Sequence, residues 1–158
     1  MLALGLVYAE HGQQISSYLQ TALQKATEAG QPAEVVQHGA CLGLGVASMG
    51  SRSEPVFDLL QNCLYTDNAV AGEAAGLAMG LVMVGSANGS ALDKMLAYAH
   101  ETQHEKIIRG LAMGIALMMY GREAEADALI DQLAMDKDAI LRYGAMSTIG
   151  LAYAGTSH

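Results

Sequence analysis

Five consecutive residues in the second half of the chain match a metal-dependent catalytic motif, His100-Glu101-Thr102-Gln103-His104. The H-E-x-x-H pattern is typical of zinc peptidases, in which two histidines bind Zn²⁺ and the glutamate activates a bound water. A third metal ligand could come from Glu123 or Glu125. This chemistry requires both histidines on one face of a continuous helix, so the surrounding elements decide whether it is available.

The elements around the motif argue against a zinc site. An amphipathic helix is predicted to end near Ala99, and an apolar helix is predicted to begin near Glu105. The motif therefore falls at a junction, and the third ligand would lie beyond a helix-ending glycine at position 121. We interpret the motif as a polar turn with helix-capping residues and keep a zinc metallopeptidase as the alternative function. No metal and no cofactor are expected.

Other residue types that do chemistry lack a supporting pattern. Cys41 and Cys63 lie in apolar runs, which favours two buried, reduced thiols and leaves a disulfide open as the alternative. The Gly43-Leu44-Gly45 string lacks the preceding strand and the Lys-Ser/Thr of a phosphate-binding loop. The sequence predicts no nucleotide site.

The charge of the chain restricts its partners. It has 16 acidic and 8 basic residues, a formal net charge of −8. A surface this negative repels phosphate, so nucleic-acid binding and docking on anionic membranes are not expected. The longest apolar stretches, 74–85 and 110–121, are shorter than the roughly 20 residues of a membrane span. We expect a soluble protein of the cell interior.

The composition excludes several classes of protein. Hydrophobic residues make up 52% of the 158 residues, with 18 glycines and 2 prolines. A disordered tail would be more charged, and collagen would carry glycine at every third position with many prolines. Two cysteines are too few for a disulfide scaffold. The glycine excess therefore needs an architectural explanation.

An internal repeat supplies that explanation. Five apolar segments each close with a glycine, and these glycines are 38, 35, 36 and 34 residues apart: Gly12, Gly50, Gly85, Gly121 and Gly155. A period near 35 is typical of two-helix solenoid units. The closing glycine is predicted to end each helix in a left-handed conformation.

Small residues recur at fixed distances before each closing glycine. They stand seven positions before it at Gly5, Gly43, Ala78, Gly114 and Thr148, eleven before it at Gly39, Ala74, Gly110 and Gly144, and five before it at Gly45, Gly80, Ala116 and Gly150. Positions seven and eleven lie on one face of a helix. A glycine inside a helix costs about 1 kcal/mol relative to alanine, so tight packing between helix backbones is expected to offset that cost.

The sequence predicts an all-α solenoid forming one domain over residues 1–158. Apolar inner helices are expected near 1–12, 34–50, 69–85, 104–121 and 138–155, and amphipathic outer helices near 13–29, 53–65, 90–100 and 123–134. Ser53, Ser90 and Asp136 are expected at helix starts. Neither end carries a polar capping repeat, so we expect a piece of a larger array that self-associates through its ends.

The glycine-rich inner helices resemble the proteasome/cyclosome repeat family. The resemblance is carried by residues 72–78 and by the longer strings 101–112, 119–122 and 125–130. It implies repeats of about 35 residues that close into a toroid in the whole protein. This chain would form an open arc of that toroid.

The resemblance also implies a function. Family members serve as non-catalytic scaffolds in the base of the 19S regulatory particle of the 26S proteasome, in cytoplasm and nucleus. They support ubiquitin-dependent protein degradation through contacts with the ATPase ring, lid subunits and ubiquitin receptors. No partner-binding residue carries over to a position here. A ubiquitin-binding or ubiquitin-like-binding module within the repeats is a further alternative.

Overall fold

The computed structural model describes residues 1–8, 13–29 and 33–156. Over those ranges the chain forms nine α-helices and no strand, which confirms the all-α prediction. The odd-numbered helices are α1 (Leu2–Val7), α3 (Glu34–Ala47), α5 (Ala69–Val82), α7 (Glu105–Met118) and α9 (Ala139–Ala152). The even-numbered helices are α2 (Gln13–Ala29), α4 (Glu54–Leu64), α6 (Gly89–Glu101) and α8 (Asp127–Ala134).

The odd-numbered helices form one layer, the inner layer. Each packs against the next odd-numbered helix, from α1 through α9, and the most extensive contact joins α5 to α7. Each even-numbered helix packs against the odd-numbered helix that follows it in the chain, which places the even-numbered helices in an outer layer. This order of contacts is that of an α-solenoid, as the repeat predicts.

The core lies between the two layers. Large side chains from both layers are fully buried, among them Leu44, Met79, Leu111 and Ile115 from inner helices and Leu60, Met95 and Leu133 from outer helices. Because burial of one such side chain contributes about 1.5–3 kcal/mol, this shared core holds the helix pairs together.

Polar side chains in the loops start several helices. Asn68 accepts hydrogen bonds from the backbone N–H groups of Val70 and Ala71, both at 3.0 Å, at the start of α5. Asn88 and Asp138 cap α6 and α9 in the same way, instead of the expected Ser90 and Asp136. Ser53 does precede α4, but its side chain makes no capping hydrogen bond.

The helix bounds differ in places from the ranges expected from sequence. Four inner helices, α3, α5, α7 and α9, end three residues before their closing glycines. The outer range 123–134 divides into a 3-10 turn over Glu123–Ala126 and helix α8. In the first inner range the described helix covers Leu2–Val7, and Gly12 lies outside the described residues.

Among the described helices, none combines the length and the apolar character needed to cross a membrane.

Candidate functional site

The two histidines of the H-E-x-x-H motif belong to different elements. His100 lies in the last turn of α6, which ends at Glu101, whereas His104 is the residue immediately before α7. Thr102 between them has an extended backbone, with ψ of 147°. The helix is therefore interrupted inside the motif, and the two imidazoles do not share a helix face as zinc peptidase chemistry requires.

Each histidine pairs with a carboxylate from a different neighbouring repeat. His100 Nε2 lies 2.7 Å from Asp136 Oδ2 in the following repeat, and His104 Nε2 lies 3.5 Å from Asp67 Oδ2 in the preceding one. Glu125 pairs instead with Arg122 at 3.4 Å. Across the described ranges no three His, Cys, Asp or Glu side chains come together as a metal-binding group. The motif residues connect repeats, and the geometry gives no support to the peptidase alternative.

Asp67 is the centre of a polar network between two outer-to-inner loops. Its Oδ1 accepts hydrogen bonds from the hydroxyls of Tyr98 at 2.9 Å and Thr102 at 2.8 Å. The rings of Tyr65 and Tyr98 are in contact, with centroids 5.0 Å apart. Asp67 has a positive φ of 53°, and its carboxylate bonds residues of the next repeat. The network joins the α4–α5 loop to the end of α6 and the α6–α7 loop.

Asp136 also forms a hydrogen bond within its own loop. Asp136 Oδ1 accepts from the backbone N–H of Asp138 at 2.8 Å while its Oδ2 meets His100. Burial raises the pKa of Asp136, but the hydrogen bonds from Asp138 and His100 outweigh this and lower the pKa of the carboxyl below its ordinary value. The same carboxylate thus orders the α8–α9 loop and connects it to the preceding repeat.

Glycines let the inner helices approach backbone to backbone. A Cβ atom on Gly80 of α5 would collide with the backbone of Gly114 on α7, and one on Gly114 would collide with the carbonyl oxygen of Gly76. Gly110 faces the carbonyl of Glu73 in the same manner. No side chain fits at these positions without moving a helix.

The contacts follow one register along the array. Gly80, five residues before its closing glycine, faces Gly114, which is seven residues before the next closing glycine. Gly45 and Ala78 occupy the same two positions one repeat earlier, where a Cβ on Gly45 would lie 2.8 Å from the Cα of Ala78. The position five before one closing glycine therefore faces the position seven before the next at both steps.

The first repeat departs from the alignment expected from sequence. We expected Gly5 to correspond to Gly43, seven residues before a closing glycine. In the structure a Cβ on Gly5 would instead collide with the backbone of Gly43, which is the partner relation that Gly45 has to Ala78. Gly5 thus takes the position five before the end of a repeat, whereas its distance from Gly12 in the sequence is seven.

The remaining repeat glycines differ in how tightly they are surrounded. A Cβ on Gly144 would lie 3.0 Å from the Cβ of Ala112, whereas one on Gly39 would make an ordinary contact at 3.6 Å with Met1. A Cβ on Gly150 would meet no atom within 4 Å. Gly150 lies on the side of α9 that no described helix covers, together with Met146 and Ile149, which are 55% and 39% exposed.

The closing glycines connect each repeat to the next inner helix, a feature that sequence reasoning missed. Gly50, Gly85 and Gly121 have positive φ angles of 68°, 60° and 68°. Their backbone N–H groups donate to the carbonyls of Leu81, Leu117 and Leu151 at 3.0, 3.1 and 3.0 Å. These carbonyls belong to the last turn of the following inner helix, where the α-helical donor four residues on is lacking.

The residue two positions beyond the glycine contributes a second bond. The N–H of Arg52 donates to Val82 and that of Ala87 to Met118, both at 3.1 Å. Both donors have positive φ, 54° and 50°. We call each pair of bonds an inter-repeat strap. The strap is not evident from the sequence, because the second donor in each pair has a positive φ but is not a glycine, the residue type that usually indicates this conformation.

Comparison with known proteins gives two concordant findings. A family model described as "Proteasome/cyclosome repeat" matches residues 39–73 and 74–108. The 26S proteasome non-ATPase regulatory subunit 1 homolog B of Arabidopsis thaliana is 55% identical over 158 residues, all of this chain. The chain belongs to the proteasome/cyclosome repeat family.

Relatives from other kingdoms match the same proteasome/cyclosome repeat segment. The 26S proteasome non-ATPase regulatory subunit 1 of Drosophila melanogaster is 51% identical over 99% of the chain. The 26S proteasome regulatory subunit rpn2 of Schizosaccharomyces pombe is 50% identical over 99% of the chain. The chain spans only 15–16% of the length of these three relatives.

The proteasome/cyclosome repeat geometry extends beyond the residues that the family model matches. The second match ends at residue 108, early in α7. The Gly144–Ala112 contact and the bond from Gly121 to Leu151 continue the same packing into α9. In terms of contacts, the repeat therefore runs through α9.

Proposed function

We propose that this chain is an arc of a non-catalytic scaffold subunit in the base of the 19S regulatory particle of the 26S proteasome. In this role it supports assembly and ubiquitin-dependent protein degradation through contacts with the ATPase ring, lid subunits and ubiquitin receptors. The observation that carries the proposal is the similarity over the whole chain to proteins named as regulatory subunits of the 26S proteasome. The compartments that follow are the cytoplasm and the nucleus.

The packing suits a scaffold. Backbone contact between inner helices and the bonds from the closing glycines recur along the array, and the Asp67 network adds a third restraint between the repeats it joins. Interiors packed this closely resist compression and transmit displacement. A partner bound at one repeat is therefore held at a fixed distance from a partner bound at another. This supports a positioning role and gives the residues of the H-E-x-x-H motif a structural purpose.

A segment exchange tests the proposal. The matching section of the Schizosaccharomyces pombe regulatory subunit rpn2 is replaced by this chain, and 26S proteasome assembly is followed on native gels with degradation of a ubiquitylated substrate. We expect assembly and degradation close to the parental strain. The same exchange carrying Gly110→Leu is expected to lower both, because a side chain at position 110 collides with the backbone of Glu73.

Gly89→Leu is the matched control for that experiment. A Cβ at Gly89 meets no atom within 4 Å, so the larger residue is expected to leave assembly unchanged. An exchanged segment that folds but gives no regulatory particle would contradict the proposed function. Equal assembly of the Gly110→Leu and Gly89→Leu exchanges would contradict the proposed role of helix packing.

We further propose that the isolated chain self-associates through the uncovered face of α9. Tyr143, Met146 and Ile149 are 72%, 55% and 39% exposed, on the side that continues the inner-helix stack. A second copy is the occupant that this continuity favours. Sedimentation equilibrium is expected to show association that Met146→Lys weakens and that Met135→Lys, in the α8–α9 loop, does not. A monomer at all concentrations would refute it.

A further inference from the structure

Two buried thiols face each other inside the first complete repeat. Cys41 on α3 and Cys63 on α4 are free cysteines with exposed fractions of 0% and 1%. Their sulfur atoms are 3.6 Å apart, with the S–H of Cys41 donated to the sulfur of Cys63. Neither residue takes part in the glycine contacts, the straps or the Asp67 network described above.

The distance between the sulfurs is short enough for a covalent bond after a small movement. A disulfide bond is about 2.05 Å long, so the two sulfurs need to approach by about 1.5 Å. Both side chains belong to one helix pair, α3 and α4, and the residues between them form a short closed loop. No rearrangement between repeats is needed to join them.

The hydrogen bond between the thiols makes them unequal. The S–H donated by Cys41 lowers the pKa of Cys63, although burial opposes this, and the same bond together with burial raises the pKa of Cys41. Because the thiolate is the nucleophile, Cys63 is the sulfur that attacks an oxidant first.

We propose that Cys41 and Cys63 are an oxidisable dithiol site that forms a reversible disulfide between α3 and α4 when the protein meets a peroxide. The Cys63 thiolate attacks one oxygen of hydrogen peroxide, the O–O bond breaks, and the departing hydroxide takes up the thiol proton as water. The product is a sulfenic acid on Cys63.

The second step consumes the other thiol. The sulfur of Cys41 attacks the sulfenic sulfur of Cys63, the S–O bond breaks, and hydroxide leaves with the Cys41 proton as a second water. Two thiols and one peroxide therefore give one disulfide and two waters. A thiol reductant reverses the reaction by thiol–disulfide exchange.

Burial determines when the site reacts. Both sulfurs are closed off from solvent, and α2 packs against α4, the helix that carries Cys63. Peroxide therefore reaches Cys63 when α2 moves away from α4, a local opening of the kind that precedes global unfolding. Oxidation of the dithiol therefore indicates that α2 has moved away from the array. The disulfide then joins α3 to α4 covalently.

The test uses the purified, fully reduced chain treated with hydrogen peroxide. Intact mass spectrometry is expected to show loss of two hydrogens, and peptide mapping is expected to show one linked pair containing residues 41 and 63. Thiol titration in denaturant is expected to fall from two thiols to none and to recover with dithiothreitol. Closure of a loop of this length is expected to raise Tm by about 5–10 °C.

Two variants complete the test. Cys63→Ser removes the attacking sulfur, so its treated chain is expected to keep the Cys41 thiol and an unchanged Tm. Cys41→Ser keeps the attacking sulfur, so Cys63 is expected to appear as sulfenic acid that a dimedone probe traps. Two intact thiols in the treated wild-type chain, or oxidation to sulfinic acid without a linked peptide, would overturn the proposal without relying on either variant.

Discussion

Gly80 and Gly150 occupy the same position in their repeats but have opposite surroundings. Gly80 meets the backbone of Gly114, whereas Gly150 meets nothing within 4 Å. We expect Gly80→Ala to lower the free energy of unfolding by about 1–3 kcal/mol through overpacking. Gly150→Ala is expected to raise it by about 0.5–1 kcal/mol, because alanine restricts the unfolded chain and favours helix. Urea unfolding followed by circular dichroism measures both, and shifts of equal sign would contradict the packing.

Tyr98 makes the stability of the chain vary with pH in the alkaline range. Burial, and then the hydrogen bond to Asp67, raise the pKa of Tyr98 above its usual value of 10.0. The unfolded chain therefore loses this proton first, so the stability that Tyr98 contributes is complete below about pH 10 and declines above it. We expect Tyr98→Phe to be less stable than wild type at pH 8, with the gap in Tm narrowing towards pH 11.

Thr102→Val is the control for that prediction. It removes the other hydroxyl donor to Asp67 and leaves Tyr98 in place. Its Tm is expected to lie below that of wild type by a constant amount between pH 8 and pH 11. A constant gap for Tyr98→Phe as well would show that the Tyr98 hydroxyl does not carry the pH dependence.

At the scale of the elements, the sequence predicts the helices better than the connections between them. Apolar periodicity and the recurring glycines predict an all-α solenoid, which the structure confirms, because burial and backbone contact act on residue types directly. The register of α1 differs from the one its distance from Gly12 predicts, because Gly5 packs against the backbone of Gly43. The inter-repeat straps also escaped prediction, because they join residues from different repeats and use Arg52 and Ala87 at positive φ.

The strap residue Ala87 offers a test of this element. It holds a φ of 50° while its N–H bonds the carbonyl of Met118. A left-handed conformation costs a non-glycine residue about 1 kcal/mol, so Ala87→Gly is expected to stabilise the chain by about 0.5–1 kcal/mol. Ala97→Gly, at an exposed position inside α6, is expected to destabilise it by about 1 kcal/mol. Thermal unfolding distinguishes the two, and a destabilised Ala87→Gly would contradict the strap conformation.

At the scale of the whole molecule, the free energy of unfolding is distributed over the successive repeats of a linear array. In an array of this kind each repeat contacts only its neighbours, so total stability is close to a sum of repeat and interface contributions. Helices α5 and α7 each lie between two inner helices of 14 residues, whereas α3 is covered on one side by the six-residue α1, and α9 packs against α7 alone among the described inner helices. Helices α5 and α7 should therefore open only when the interfaces on both of their sides are lost.

Hydrogen exchange measures this directly. Amides of α5 and α7 are expected to exchange slowest, with free energies of opening near the global value, and those of α9 are expected to exchange through a smaller, local opening. Gly80→Ala weakens the interface between α5 and α7, so it should accelerate exchange in both helices and bring their rates closer to that of α9. Uniform protection over all inner helices, unchanged by Gly80→Ala, would mean that the chain unfolds as a single unit and that its interfaces are not separable.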